Sequence, residues 1–371
     1  LSSHQKDFLW SRPDASVSLA KISKPRVGKV VQRWRLFHLL DETRTSQATW
    51  VCGPGGSGKT SLIASYIEEN QLPCLWYQID EGDSDIAAFF YYLGVADKGL
   101  SSKEKDLPFL TPEYALGIST FTRRFFEQLF DRLEKPGVFV LDNYQEAPPE
   151  CLLHEVIRVA LSVIPEGINL FILSRTEPPS ILARAMASNL LSKIEWPALR
   201  LQRQETRGLV RLLSRAPPSE EAIDSLHEKV DGWLAGLLLL LKRAESEVID
   251  PGTFTQFTIS EVYDYFTSEI FDKADQETRD FFISTSVLPT ITATMAQKLT
   301  GSENAAQILD RIIKNQLFTE RYHGRETRYQ YHPLFREYLQ SQAEQTFTDD
   351  HITSLKQTAA WLLEAEGQIE P

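Results

Sequence analysis

One octapeptide limits the possible folds more than any other feature. Gly53-Pro54-Gly55-Gly56-Ser57-Gly58-Lys59-Thr60 fits the pattern G-x-x-x-x-G-K-[ST] in full. An apolar run, 48–52, precedes it and a helical pattern, 59–69, follows it. The glycines allow successive backbone N–H groups to point into one concavity, which favours anions. The helix N-terminus that follows adds partial positive charge. Residue by residue, Gly53, Gly55, Gly56, Ser57 and Gly58 would cradle phosphates. Lys59 would meet the β- and γ-phosphates, the Thr60 hydroxyl would ligate Mg²⁺, and Ser61 would hold the α-phosphate. The expected ligand is therefore ATP or ADP with Mg²⁺.

The surrounding pattern supplies the sheet that such a loop needs. Short apolar runs at 48–52, 72–79, 137–141 and 168–173, and a fifth near 193–196, read as buried strands. Helical patterns at 59–69, 86–93, 121–133 and 152–163 separate them, which predicts an α/β domain with a parallel sheet. Residues 94–118 read as a loop or small insertion. The third run ends in Asp142, a carboxylate at the strand edge where ligands bind, and the second expected Mg²⁺ anchor. Asn143 follows where many ATPases carry a second carboxylate that activates water, so slow hydrolysis is expected. Glu146 could substitute or could belong to a surface loop. The fourth run ends Leu173-Ser174-Arg175-Thr176. Arg175 is placed to sense a γ-phosphate, or to pair with a surface carboxylate. The expected catalytic set is Asp142, Lys59 and Arg175.

Beyond residue 204 the pattern turns helical, at 205–213, 219–230 and 233–244. A third unit begins near 259, with helices at 261–271, 276–287, 293–299 and 304–314. Strands at 316–320 and 327–331 follow, with Gly324 in the turn, and a helix starts at Pro333. Helices followed by a hairpin make a winged-helix arrangement. A last helix is expected over 351–366. The division is thus a lead-in at 1–47, a nucleotide-binding domain at 48–200, a helical domain at 201–258, a winged-helix domain at 259–345, and the start of a repeat array at 346–371. The 371 residues carry 51 acidic and 39 basic side chains, net −12, which argues against a general nucleic-acid coat. Three cysteines without metal-ligand spacing fit a reducing, cytoplasmic setting. The longest apolar run, 234–241, is far too short to span a membrane. A first residue that is not Met, and an abrupt end at Pro371, suggest a fragment of a longer protein.

Taken together, these motifs resemble the STAND class of signal-transduction ATPases, specifically the MalT-like bacterial transcription activators. The resemblance runs from about residue 21 to the end. Lys24-Pro25-Arg26 and Val30-Val31-Gln32-Arg33 look like the adenine-side lead-in, which implies Pro25 and Arg33 at the nucleotide. Leu75-Trp76-Tyr77-Gln78-Ile79-Asp80-Glu81-Gly82-Asp83, then Phe89 and Tyr92-Leu93, resemble the second-strand signature. Ser174-Arg175-Thr176-Glu177-Pro178-Pro179 is similar to the sensor strand, and Gly232-Trp233-Leu234-Ala235-Gly236-Leu237 to the helical-domain motif. Tyr331-His332-Pro333-Leu334-Phe335 with Tyr338-Leu339 is similar to the winged-helix motif.

The resemblance implies a closed resting monomer with ADP locked between sheet and winged helix, with His332 on the β-phosphate. Inducer and ATP would open it, and open subunits would self-associate. Leu234 stands where animal and plant relatives place Pro beside adenine, and Pro333 where they place Asp. Residues 359–367 resemble the start of a helical-pair repeat, which in this family senses an inducer or signal protein. DNA would be bound only by a domain outside this sequence. Two other readings stand beside the switch. One is an ATPase with steady turnover. The other is DNA binding through the hairpin arginines Arg321, Arg325 and Arg328.

Overall fold

The computed structural model describes residues 20–28, 31–100, 106–114, 117–214, 218–247, 260–324 and 326–365. The expected positions of Val30 and Arg325 lie outside them.

Five strands, β1 (Ala48–Cys52), β2 (Cys74–Gln78), β3 (Gly137–Asp142), β4 (Ile168–Ser174) and β5 (Leu191–Ile194), form one sheet. Their order is β2-β3-β4-β1-β5, and every pairing is parallel. β1, β3 and β4 are buried throughout, which is why they read as continuous apolar runs rather than alternating ones. Successive side chains still serve opposite faces. Val51 faces the helices α1 (Trp34–Thr43) and α2 (Lys59–Glu69). Trp50 and Cys52 face α3 (Ile86–Leu100), α4 (Ile118–Phe130) and α5 (Leu153–Leu161).

The register decides where the chemistry lies. Cys52 is level with Ser174, and Gln78 with Asp142. The glycine loop after β1, the carboxylate ending β3 and the arginine after β4 therefore emerge at one edge of the sheet.

The expected loop at 94–118 is corrected in part. α3 runs on to Leu100, because Ala96 is buried and the buried Asp97 pairs with the Arg132 guanidinium. α4 begins at Ile118, three residues earlier than its apolar periodicity suggested.

After the short helices α6 (Ala183–Ala187) and α7 (Trp196–Leu199) comes a helical layer of α8 (Arg203–Leu213), α9 (Glu220–Val230) and α10 (Leu234–Glu247). α8 opens with a capping box between Gln202 and Glu205. α11 (Ser260–Phe266) continues into a π-helical turn, Thr267–Phe271. α12 (Gln276–Thr285), α13 (Ala293–Thr300) and α14 (Ala305–Lys314) lead to the hairpin β6 (Thr319–Tyr322) and β7 (Arg328–Tyr331). α15 (Pro333–Thr346) and α16 (Asp349–Ala365) follow. β6 starts three residues later than the sequence suggests, because Gln316 and Phe318 take φ values of 50° and 47° and interrupt the extended run.

One hydrophobic cluster extends from Val51 on the sheet and Ile63 on α2, through Trp233, to Phe266 and Phe335 of the helices beyond. The other face of the sheet has a separate core rich in phenylalanine, including Phe89, Phe90, Phe125 and Phe126. Among the described residues no helix is long and apolar enough to cross a membrane.

Candidate nucleotide site

The loop between β1 and α2 has the conformation its glycines allow. Gly56 and Gly58 take φ of 70° and 86°, and Gly58 is the left-handed N-cap of α2. Lys59 Nζ donates to Gly53 O at 2.7 Å, Pro54 O at 3.0 Å and Ser57 Oγ at 3.2 Å. The ammonium is thus held inside the loop by three oxygens. Burial, and Arg175 nearby, push it down to about 8. Ser57 is buried, whereas Ser61 is exposed one helical position beyond Thr60.

Thr60 Oγ1 lies 3.1 and 3.0 Å from the two Asp142 carboxylate oxygens. α2 and β3 thus bring together the hydroxyl and carboxylate expected to anchor Mg²⁺. Both are hard oxygen donors, the chemistry that Mg²⁺ prefers. Burial holds the Asp142 carboxyl above its ordinary value, while the Thr60 hydroxyl and the Asn143 N–H act in the other direction. Asn143 itself sits at φ 57°, and its N–H donates to Asp142 Oδ1 at 2.9 Å. Glu146 is exposed and accepts from Gln145 Nε2.

Four other expected site residues have different surroundings. Arg175 NH1 donates to Glu269 Oε2 at 2.7 Å, so of the two readings of this arginine the structure displays the carboxylate pair. The partner lies far along the chain, in the π-helical turn. Arg33, expected at the adenine, is held by acceptors on the following helices. Its guanidinium donates to Leu199 O and Arg200 O at 2.8 Å each, and to Glu205 Oε2 at 3.2 Å. It ties α1 to the start of α8, and Arg35 does the same beside it. Pro25 is half-buried, and the neighbouring Val27 and Val31 pack on the core. His332 is buried, with Nε2 2.8 Å from Val230 O and its ring beside Trp233 and Phe318. Its Nδ1 is buried without a hydrogen-bond partner. Burial pushes this imidazole down to about 4.

The residue that does reach the loop is Trp233. Its Nε1 donates to Gly55 O at 2.9 Å, and the Ala235 N–H donates to Gly56 O at 3.0 Å. A Cβ on Gly56 would lie 2.4 Å from Ala235 Cβ, one on Gly58 2.6 Å from Leu234 Cδ2, and one on Gly55 2.3 Å from the Tyr265 hydroxyl. The loop is therefore covered by the turn at 233–235 and by α11. This turn lies within the helical-domain motif, 232–237. Tyr265 and Glu269 carried no local signal.

The chain is similar to known proteins. The MalT winged helix domain family matches residues 267–351. Residues 267–351 are thus similar to the winged helix of MalT. The transcriptional regulator MalT of Yersinia pestis is 27% identical over 338 residues, covering 88% of this chain and 36% of that protein. MalT of Serratia proteamaculans is 28% identical over 334 residues with the same coverage, 88% and 36%. The chain thus spans about a third, 36%, of the length of the curated relatives it matches. Among solved structures, a Walker-type ATPase of Pyrococcus abyssi superposes with a TM-score of 0.60 at 13% identity, covering 84% of this chain and 96% of that one. The fold resembles that of a Walker-type ATPase, with a winged helix similar to MalT's over 267–351, as the motifs implied.

Proposed function

We propose that this chain is the ATP/ADP-dependent switch of a signal-responsive, transcription-regulating protein in the cytoplasm. It divides into a lead-in at 1–47, a nucleotide-binding domain at 48–200, a helical domain at 201–258, a winged helix at 259–345 and the start of a repeat array. The observation that carries this reading is the double use of the phosphate loop. The carbonyls of Gly55 and Gly56 are bonded by the helical turn, and Tyr265 and Glu269 reach Gly55 and Arg175 from α11 and the π-helical turn. Nucleotide occupancy and domain closure then act on the same few atoms.

In this reading Gly53, Gly55, Gly56, Ser57, Gly58 and Ser61 hold the phosphates. Lys59 exchanges its loop carbonyls for phosphate oxygens. Thr60 and Asp142 hold Mg²⁺, which when bound would neutralise phosphate charge. His332 acts through Trp233, bracing the ring that touches the loop. Asn143 offers no base to water, so the chain hydrolyses ATP slowly and serves as a switch rather than a motor. ADP holds the closed form. ATP, with an inducer read by an array following this segment, favours an open form that self-associates. A ligand shifts such an equilibrium only by its differential affinity for the two forms.

Calorimetry with Mg²⁺ and ADP on Lys59→Ala tests the site. Losing a charged contact to phosphate should weaken binding by about tenfold to a hundredfold or more. Unchanged affinity would remove Lys59, and this site, from the account.

A further inference from the structure

Between the phosphate loop and the winged helix lies a cavity of only about 20 Å³, lined by Gly55, Arg175, Tyr265 and Glu269 together with residues 315–318. That volume holds about one water. On one wall the Arg175 guanidinium approaches the loop, its NH1 3.3 Å from where a Cβ of Gly55 would stand. On the other wall Glu269 receives Arg175 NH1 at 2.7 Å and Lys273 Nζ at 3.3 Å. The Arg175 backbone is fixed independently, its N–H donating to Gln145 Oε1 at 3.1 Å. Glu269 sits in the π-helical turn Thr267–Phe271, and Phe318 across the cavity holds a φ of 47° that a bulky residue seldom adopts. The wall facing Arg175 is therefore shaped by irregular backbone.

We infer that Glu269 is a specificity-determining residue that makes the closed form select a nucleoside diphosphate over a triphosphate. The inference rests on the nucleotide-switch reading above. Arg175 is the cation at the loop's edge that an additional phosphoryl group would use. In the closed form Glu269 already neutralises it and presents a carboxylate to any anion entering the cavity. A further phosphate meets a like charge, an occupied arginine and no room. A diphosphate, held by the loop and Lys59, needs none of these. A triphosphate gains Arg175 only when the winged helix withdraws Glu269, so the same residue that rejects it in the closed form couples it to opening. The Glu269 carboxyl, held below its ordinary value by Arg175, stays ionised at neutral pH.

The test is calorimetry of the intact chain with Mg²⁺–ADP and with Mg²⁺ plus a non-hydrolysable ATP analogue, on wild type, Glu269→Gln, Glu269→Ala and Arg175→Gln/Glu269→Gln. Glu269→Gln and Glu269→Ala should each tighten triphosphate binding by about tenfold and leave ADP within about threefold. In the double variant the triphosphate gain should vanish, because it requires a free Arg175. An equal change for both nucleotides, no change for either, or a triphosphate gain that persists without Arg175 would overturn the inference while leaving the switch reading intact. A wild-type chain that binds neither nucleotide would overturn both.

Discussion

The floor and the cover of the phosphate loop differ in how they are built. The floor is made within one sheet. Thr60 and Asp142 meet because α2 continues directly from the loop and β3 lies one strand away from β1, across β4. The cover is made by chain remote in sequence. Trp233 donates to Gly55 O from 178 residues away, and Glu269 reaches Arg175 from 94 residues away. The floor's geometry follows from a motif and a parallel register. The cover's geometry exists only while the shared hydrophobic cluster keeps three units packed. In the proposed switch it is therefore the part that responds.

The sharpest way to break this contrast is to remove the centre of the cover. Trp233 is fully buried against Phe266, stacked at 5.3 Å, and Phe318, edge-on at 4.9 Å. Trp233→Ala should cost about 3–5 kcal/mol of stability. It should also weaken ADP binding per folded molecule, since the N–H to Gly55 O disappears. Urea unfolding with and without ADP checks both effects. A loss of stability with ADP affinity intact would make Trp233 a core residue and nothing more.

A smaller effect comes from His332. Its folded value, about 4, lies below the ordinary 6.5, so the unfolded chain binds the extra proton between those values. The stability linked to this neutral imidazole is complete above about pH 6.5 and is lost as pH falls towards 4. Between pH 7 and pH 5 that amounts to about 2 kcal/mol. His332→Gln, which keeps a donor for Val230 O, should flatten this part of the profile. Identical pH dependence in the two proteins would mean that the ring is not buried as described.

The same contrast explains what the sequence disclosed. The glycine loop, Asp142 and the apolar strands were legible because local spacing dictates each of them. The winged helix was legible from the order of its elements and from the motif around His332. The packing of Arg33 was not legible, because its acceptors are the Leu199 and Arg200 carbonyls, and a carbonyl has no sequence signature. Glu269 was invisible for a related reason. An exposed-looking glutamate in a helical pattern becomes a partner of Arg175 only through tertiary packing. The extra turns of α3 were hidden by Gly94, which reads as a loop residue but stands in a helix whose next turn buries Ala96.

The central proposal is that the closed arrangement holds ADP between floor and cover and turns ATP over only slowly. The chain, purified without added nucleotide and then denatured, should release close to one equivalent of ADP. Before denaturation, its phosphate release with Mg²⁺–ATP should stay well below the roughly 10 s⁻¹ median of enzymes. An empty site together with turnover at that median would contradict the account and make the chain an ordinary ATPase.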